Sequence, residues 1–561
     1  MKKRKIMAML LTVAMTATAL AGCGGPAAGD ENQDSGNNLV NTQADNADVP
    51  DTGAGEDEPQ ASGGDKTITV SMTAKTGVQE GWDAVAAAYM DLHPDVKVVV
   101  DLKAEEGYDQ WLNNVFATSD TTAVDIVAIN YGGGSETGKH IDWNDYADMD
   151  SPYSDGVWKD QFQYDMQTIE PGTGMWKQLC LQSTQVMWFY NQNIFDEVGV
   201  SIPTTWDELI DVCEKIEAAG YQAIAMPGDY DSFYSGTMGW LSQIYADQTT
   251  RSSIEYWRSQ EGDFTWDPDV DAAWTYDPTD PWNDDTVYVT RNPVRFFQSI
   301  QDGTFTPDTE GMKTVWNNFA KVFPKYAGNE TMFGTNKDGA QTLFYQGKAA
   351  MTVNGGWGIM EFANNMKAIN NGESISVKDS VVEDAKVFTL GTFSMPTMEG
   401  DGIEAPVRTI EVPEGFLGAV SKGQEHDELV ADFVMYYSSA EGMSVFLDAA
   451  IAAGFAPSGP SLVYNVDYPD EVANAFANVK YVGNAQKNYG NALSRGLCEL
   501  PESTREYYNN AHAFLTGSIT VDEYLKTQVE NFKTYFNAAL ESKGITAEDL
   551  ANPAAEPAGL K

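Results

Sequence analysis

Positive charge is what this chain has least of. Lysine and arginine number 34 against 83 aspartates and glutamates, giving a net charge of -49 over 561 residues. Nucleic acid is excluded as a partner on that balance, because phosphate recognition draws on clustered Lys and Arg. There is no basic stripe and no zinc-finger or RNA-binding pattern. Cysteine and histidine are equally sparse, at four each. Without a Cys-x-x-Cys pair or a Cys/His cluster they give no metal motif. Asp267, Asp269 and Asp271 imitate the start of a calcium loop, but Ala272 stands where the glycine is required and Pro278 where the bidentate Glu belongs. The Gly-x-Ser-x-Gly elbow and the His-Glu-x-x-His zinc motif are both missing. The glycine run 132–134 lacks the Gly-Lys-Ser/Thr ending of a nucleotide loop and reads as a flexible loop after a strand. Long apolar runs are absent beyond the first two dozen residues. What the chain does have is 42% hydrophobic and 11% aromatic residues, enough for more than one packed core.

The amino terminus reads as an address. Lys2-Lys-Arg-Lys5 precedes the apolar run Ile6–Ala21, the charge and length of a secretory signal and too short for a confident membrane span. Its end, Leu20-Ala-Gly-Cys23, resembles the bacterial lipoprotein box. That resemblance implies a signal peptide over 1–22, cleavage before Cys23, and a diacylglycerol on its thiol; two acyl chains give lasting attachment where one is marginal. Residues 23–65 are Gly, Ala, Asn, Asp, Glu and Ser with few large apolar side chains, so they cannot bury enough surface to fold and are expected to form an acidic, disordered tether. Of the remaining cysteines, Cys180, Cys213 and Cys498, an odd number leaves at least one unpaired; Cys213 falls on the apolar face of a helix and reads as packing.

From Lys66 onward the pattern alternates. A β-branched strand at 66–72 leads to a helix with Trp82, Val85, Ala86 and Tyr89 at helical spacing. A strand at 96–100 follows, then a helix carrying Tyr108, Trp111, Leu112, Val115 and Phe116, then a third strand at 124–129. This order predicts a parallel α/β layer, in which ligands gather outside the carboxyl ends of the strands. Thr76, Gln79 and Trp82 follow one such end, and Asn130 and Tyr131 another. An apolar strand at 181–190 opens a second unit, in which Thr205 and Glu208 have capping-box spacing before a helix ending at Gly220. A strand at 222–226 then runs into Pro227-Gly-Asp-Tyr230-Asp231.

The stretch Phe344-Tyr-Gln-Gly-Lys-Ala-Ala-Met-Thr-Val-Asn-Gly-Gly-Trp357 reads as a helix end, a glycine stop at Gly347, a buried strand at 349–353, and a glycine turn that presents one large aromatic. Glycines admit close backbone approach, and a tryptophan past a strand end offers a flat apolar face at a cleft. With the run Tyr190-Asn191, Phe195, Gly199, Pro203, Thr205-Trp206 and Glu208-Leu209, this stretch resembles the family 1 extracellular solute-binding proteins that feed sugars to ATP-driven importers, maltose-binding protein among them. The resemblance covers about 66–545. It implies a two-lobed type II periplasmic-binding-protein fold of α/β class with hinge-crossing strands. Lobe 1 is expected at 66–182 plus 397–452, and lobe 2 at 183–396 plus 453–545. A Trp- and Asp-rich insertion at about 248–310 departs from the family pattern, and 546–561 is expected to be a loose tail.

By the same resemblance Trp357 stacks on a sugar ring, Trp206 is structural, and the ligand-binding set is Trp357, Gly356, Tyr131, Asn130, Tyr230, Asp231, Thr76, Gln79 and Trp82. Glu414 breaks the paired-glycine pattern the family often has near its ligand. The implied function is a lipid-anchored receptor on the extracellular face of the bacterial membrane. It captures a sugar, expected to be an oligosaccharide, by hinge closure and hands it to an ABC permease. It would act as a monomer, without cofactor, metal or catalysis. The alternatives are a receptor of the same fold for a peptide or other solute, and an exported glycoside hydrolase, which needs two carboxylates about 5–10 Å apart.

Overall fold

A computed structural model describes residues 66–119, 121–129, 139–169, 174–378, 380–487, 489–497 and 500–560. The signal, the tether, Cys23, Cys498, Asn130 and Tyr131 lie outside them. The first lobe is built from β1 (Lys66–Ser71), α1 (Val78–Leu92), β2 (Val96–Val100), α2 (Tyr108–Ala117) and β3 (Ile126–Ala128). The chain then enters the second lobe with β4 (Gln182–Asn191), α3 (Trp206–Ala218), β5 (Gln222–Ala225), α4 (Tyr230–Ser235) and α5 (Thr237–Asp247). After the insertion come β6 (Ala349–Gly355), α6 (Gly358–Asn370), β7 (Leu390–Phe393) and β8 (Glu411–Glu414). It returns to the first lobe as β9 (Leu417–Ala419), α7 (Gln424–Tyr437) and α8 (Ala440–Ala452), and ends against the second as α9 (Asn491–Arg495), α10 (Pro501–Leu515) and α11 (Val521–Ser542).

The first sheet has the order β9-β3-β1-β2, with β1 parallel to both β2 and β3 and β9 antiparallel to β3. In the second, β6 lies between β4 and β5, parallel to β5 and antiparallel to β4. β7 and β8 pair antiparallel with successive halves of β4. Nearly every residue of β4 is buried, which is why it reads as a continuous apolar run rather than an alternating one. The capping box at α3 forms as its spacing predicts: Thr205 accepts from the Glu208 amide, and the Glu208 carboxylate accepts from the Thr204 and Thr205 amides. Those amides hold Glu208 below the usual carboxylate range. Trp206 is buried and donates from its indole to the Asn318 carbonyl at 3.0 Å, the structural part expected of it. Cys213 is buried in the same core, and burial pushes its thiol up.

Three strands of chain pass between the lobes side by side. Leu179 bridges to Leu417, Leu462 donates its amide to the Leu181 carbonyl at 2.8 Å, and only two residues separate β8 from β9. The lobe boundaries therefore shift from those read in the sequence. Residues 397–414 stay with lobe 2, because β8 pairs with β4 and Arg408 is drawn between Asp247 and Asp284. Phe455 and Val463 stay packed on the lobe 1 core and Tyr468 touches the cores of both lobes, so the last return to lobe 2 comes near Tyr468 rather than at 453. The tail is not loose. Leu550 is buried, and the Leu550 and Pro553 carbonyls accept from Gln298 at 2.6 Å and Asn292 at 2.9 Å. Composition concealed this, because the partners are side chains far away in sequence.

The insertion lies partly against lobe 1. Trp282 packs with Met166, Cys180, Leu462 and Phe416 beside the crossing strands, and the Tyr288 hydroxyl donates to Asp165. Asp267 caps a short helix by accepting the Asp269 amide, and Asp271 accepts from Thr290 and the Asp267 amide. Two of the three acids that mimic a calcium loop, Asp267 and Asp271, thus have carboxylates engaged in holding a turn.

Candidate functional site

β5 and β6 run parallel, Ala225 beside Thr352 about 4.8 Å away, so both carboxyl ends face the same way, with β6 running three residues further to Gly355. Polar and aromatic side chains follow both ends: Asp229, Tyr230 and Asp231 after β5, and Trp357 after β6. After β6 the turn is suspended from β4: Gly356 donates its amide to the Gln185 carbonyl at 2.7 Å, and Trp357 donates its amide to the Thr184 hydroxyl at 3.0 Å. The indole, half-buried, folds back over Gly355, where a Cβ would overlap its six-membered ring. At Gly356 a Cβ would meet the Thr184 hydroxyl at 3.0 Å. Gly355 is therefore required by close approach rather than by φ, and a side chain at Gly356 would be a tight fit. Trp240, on α5, supports the ring edge-on with centroids 5.7 Å apart at 77°. Gly355→Ala is expected to displace the indole, lowering the unfolding free energy by about 1–3 kcal/mol through overpacking and shifting tryptophan fluorescence. An unchanged emission spectrum and melting midpoint would count against this turn geometry.

After β5, Asp229 caps α4 by accepting the Ser232 amide at 3.3 Å. Tyr230 begins the helix instead of sitting in an open turn. Its hydroxyl is 2.6 Å from that of Thr504 on α10, and Tyr508 meets its ring edge-on at 5.5 Å. Tyr234, one turn along, lies nearly parallel to it at 6.5 Å. The Arg505 guanidinium sits 3.4 Å over the Tyr230 ring, so that face carries a cation. Asp231 is exposed beside it.

On lobe 1, Thr76 is exposed in the turn before α1, and Gln79 donates to Asp83 at 3.0 Å on the first turns of that helix. Trp82 has to be withdrawn as a ligand contact. It is 2% exposed and packed against Tyr437 at 4.3 Å and Phe446 at 5.5 Å, one helical turn inward from Gln79. Its helical spacing with Val85 and Tyr89 was the signal for a core position. The structure thus places Gly356 and Trp357 just past β6 and Tyr230 and Asp231 at the start of the helix that follows neighbouring β5, and leaves Thr76 and Gln79 on lobe 1. Trp240, Thr184, Tyr508 and Arg505 are missing from the sequence reading. Trp240 alone had a local cue, an aromatic on the second helix after the strand end. Among the described residues no group of three or more His, Cys, Asp or Glu is placed to hold a metal ion, and no helix is long and apolar enough to cross a membrane.

A model of the bacterial extracellular solute-binding protein family matches residues 74–444. The chain belongs to that family. No curated protein sequence matches it. Among solved structures, a family 1 extracellular solute-binding protein from Bifidobacterium longum subsp. infantis is 16% identical, covering 84% of this chain and 100% of its own, with a TM-score of 0.50. The apo form of RafE from Streptococcus pneumoniae is 16% identical over 85% of this chain and 100% of its own, also at 0.50. The bacterial solute receptor AcbH is 14% identical over 84% and 100%, again at 0.50. At these identities the likeness carries the two-lobed α/β fold of solute-binding proteins and nothing finer.

Proposed function

We propose that this solute-binding protein captures a sugar, an oligosaccharide, between its lobes and delivers it to an ABC permease, and that it is held at the extracellular face of the bacterial membrane by lipid on Cys23. One observation carries the sugar reading: the Trp357 indole, presented on a glycine turn at the ends of β5 and β6 and supported from the side by Trp240. A flat indole suits the apolar C–H face of a pyranose, and the exposed Asp231 carboxylate at the start of α4 suits its hydroxyls. AcbH, which shares the fold, is described as preferring β-D-galactopyranose; that is a property of AcbH, and the assignment here rests on Trp357. Delivery follows from hinge closure. A solute that touches both lobes favours the closed state only by its extra affinity for it, and the three adjacent crossing strands are the hinge.

The test is a thermal-shift screen of the whole chain against mono- and oligosaccharides, peptides and amino acids. A native-state ligand at a hundredfold excess over its dissociation constant adds about 2.7 kcal/mol, which for a chain of this length raises the midpoint by about 2–3 °C. A shift from one oligosaccharide series, with the sugar recovered intact, is the expected result. Recovery of shortened sugar would point to hydrolysis. Silence from every sugar with a shift from peptides would keep the fold and overturn the substrate.

A further inference from the structure

We propose that the captured sugar is acidic, and that Arg505, lying flat on Tyr230, reads its carboxylate. This rests on the sugar-receptor reading and narrows it.

Among the described residues Arg505 stands without an ion pair in a chain with a net charge of -49, as does Arg291, whose guanidinium donates instead to the Asp284 backbone carbonyl. Arg251, Arg258, Arg295 and Arg408 each stand within 4.0 Å of a carboxylate. Among the described residues Arg505 makes no such ion pair, although it is exposed and acids outnumber bases more than twofold. Among the acids around it, exposed Asp231 and Glu502 make no ion pair with it, and two others are committed elsewhere. Asp229 caps α4 through the Ser232 amide, and Glu506 accepts from Asn531 and Tyr535 at 3.2 Å each, on the side of α11.

The guanidinium is nevertheless held in one position. It stacks 3.4 Å over Tyr230, whose hydroxyl is tied to Thr504 and whose ring is braced by Tyr508. Stacking uses the face of the guanidinium and leaves its in-plane N–H fork available, the geometry that matches a carboxylate with two parallel hydrogen bonds. It also means that Tyr230 does not offer this ring face to a sugar: what it presents there is the cation. Because β5 and β6 are adjacent and parallel, this cation and the Trp357 platform follow neighbouring strand ends. A saccharide seated on Trp357 and extending toward α4 arrives at a fixed, unpaired guanidinium. The acidic surroundings repel a doubly charged phosphate ester more than a single carboxylate, which favours a uronic-acid residue over a phosphorylated one, while the planar fork matches a planar carboxylate better than a tetrahedral sulfate.

The experiment measures dissociation constants of the whole chain for di- and trigalacturonate and for glucuronate-bearing oligosaccharides. Neutral oligosaccharides of matched length and linkage, and sulfated and phosphorylated sugars, are measured beside them at low and high salt. The expected result is that one uronate series binds about ten- to a hundredfold tighter than its neutral counterpart, the range of a charge-assisted hydrogen-bonded pair, and weakens with salt. Arg505→Gln brings the two affinities together, and Arg505→Lys restores only part of the difference because the fork is lost. Arg258→Gln, on a residue paired to Glu255 in the insertion, keeps the difference. The proposal is overturned if a neutral sugar binds as tightly as its uronate and Arg505→Gln changes nothing; the sugar-receptor reading then stands. Tightest binding by a sulfated or phosphorylated sugar overturns the carboxylate. Binding of no sugar of either kind defeats the sugar reading itself, and this inference with it.

Discussion

Replacing Trp357 with alanine is expected to weaken binding of the captured solute by at least about 2 kcal/mol, roughly thirtyfold, the loss typical of a central aromatic anchor. Two features make the effect large. The indole is presented on a rigid turn, with both glycine amide and tryptophan amide tied to β4, so little order is lost when a ligand arrives. Its edge is braced by Trp240, which keeps one orientation. Trp357→Phe keeps a smaller flat face and should recover part of the affinity. Because the ring is only half-buried, the melting midpoint of the alanine variant should fall far less than its affinity. Titration calorimetry of wild type and both variants with the saccharide found by screening reads this directly. Equal dissociation constants for wild type and alanine variant would remove Trp357 from the site and return it to the core.

Trp357 was legible in the sequence because its signals are local. A strand, a glycine turn and a large aromatic occur within ten residues, and each constrains the next. The parallel layer of lobe 1, the α3 capping box and the buried β4 were legible for the same reason. Trp82 was also legible, but as core. Its spacing with Val85 and Tyr89 predicted the buried face of α1, and its place near a strand end competed with that signal and misled. What local pattern could not reveal is contact across hundreds of residues. Arg505 reaches Tyr230 from a helix that folds back onto lobe 2 after the chain has visited lobe 1. The Ala- and Pro-rich tail is held by Asn292 and Gln298, which no periodicity in the tail records. The boundary at 397 failed likewise, because Arg408 gives no hint in sequence that it is the centre of a buried ion cluster.

That cluster sets the second large expectation. Arg408→Ala should lower the unfolding free energy by about 3–5 kcal/mol, the cost of leaving buried charges without their partner. The guanidinium bonds both Asp247 oxygens and both Asp284 oxygens, and all three side chains are 2% exposed or less. Arg251, also buried, comes only to 4.0 Å from Asp284 and cannot replace it. Burial by itself would push the Asp284 carboxyl up, but Arg408 and then Arg251 outweigh it and hold the group to about 2, below its ordinary 3.8. A carboxyl depressed on folding stabilises the folded state above its unfolded value. That contribution, about 2 kcal/mol, is lost as pH falls from about 4 through about 2. Without Arg408 the sign reverses, because burial now favours the protonated acid and the variant gains relative stability on acidification. The gap between wild type and Arg408→Ala should therefore be widest near neutral pH and narrow as pH falls, starting where the variant's raised carboxyl protonates, above about pH 4, and finishing by about pH 2, read by urea unfolding from about pH 7 downward. A gap that stays constant with pH would mean that Arg408 acts by filling space. Arg408→Met then separates the two effects: it keeps most of the volume, so it should rescue a packing loss and leave an electrostatic one in place.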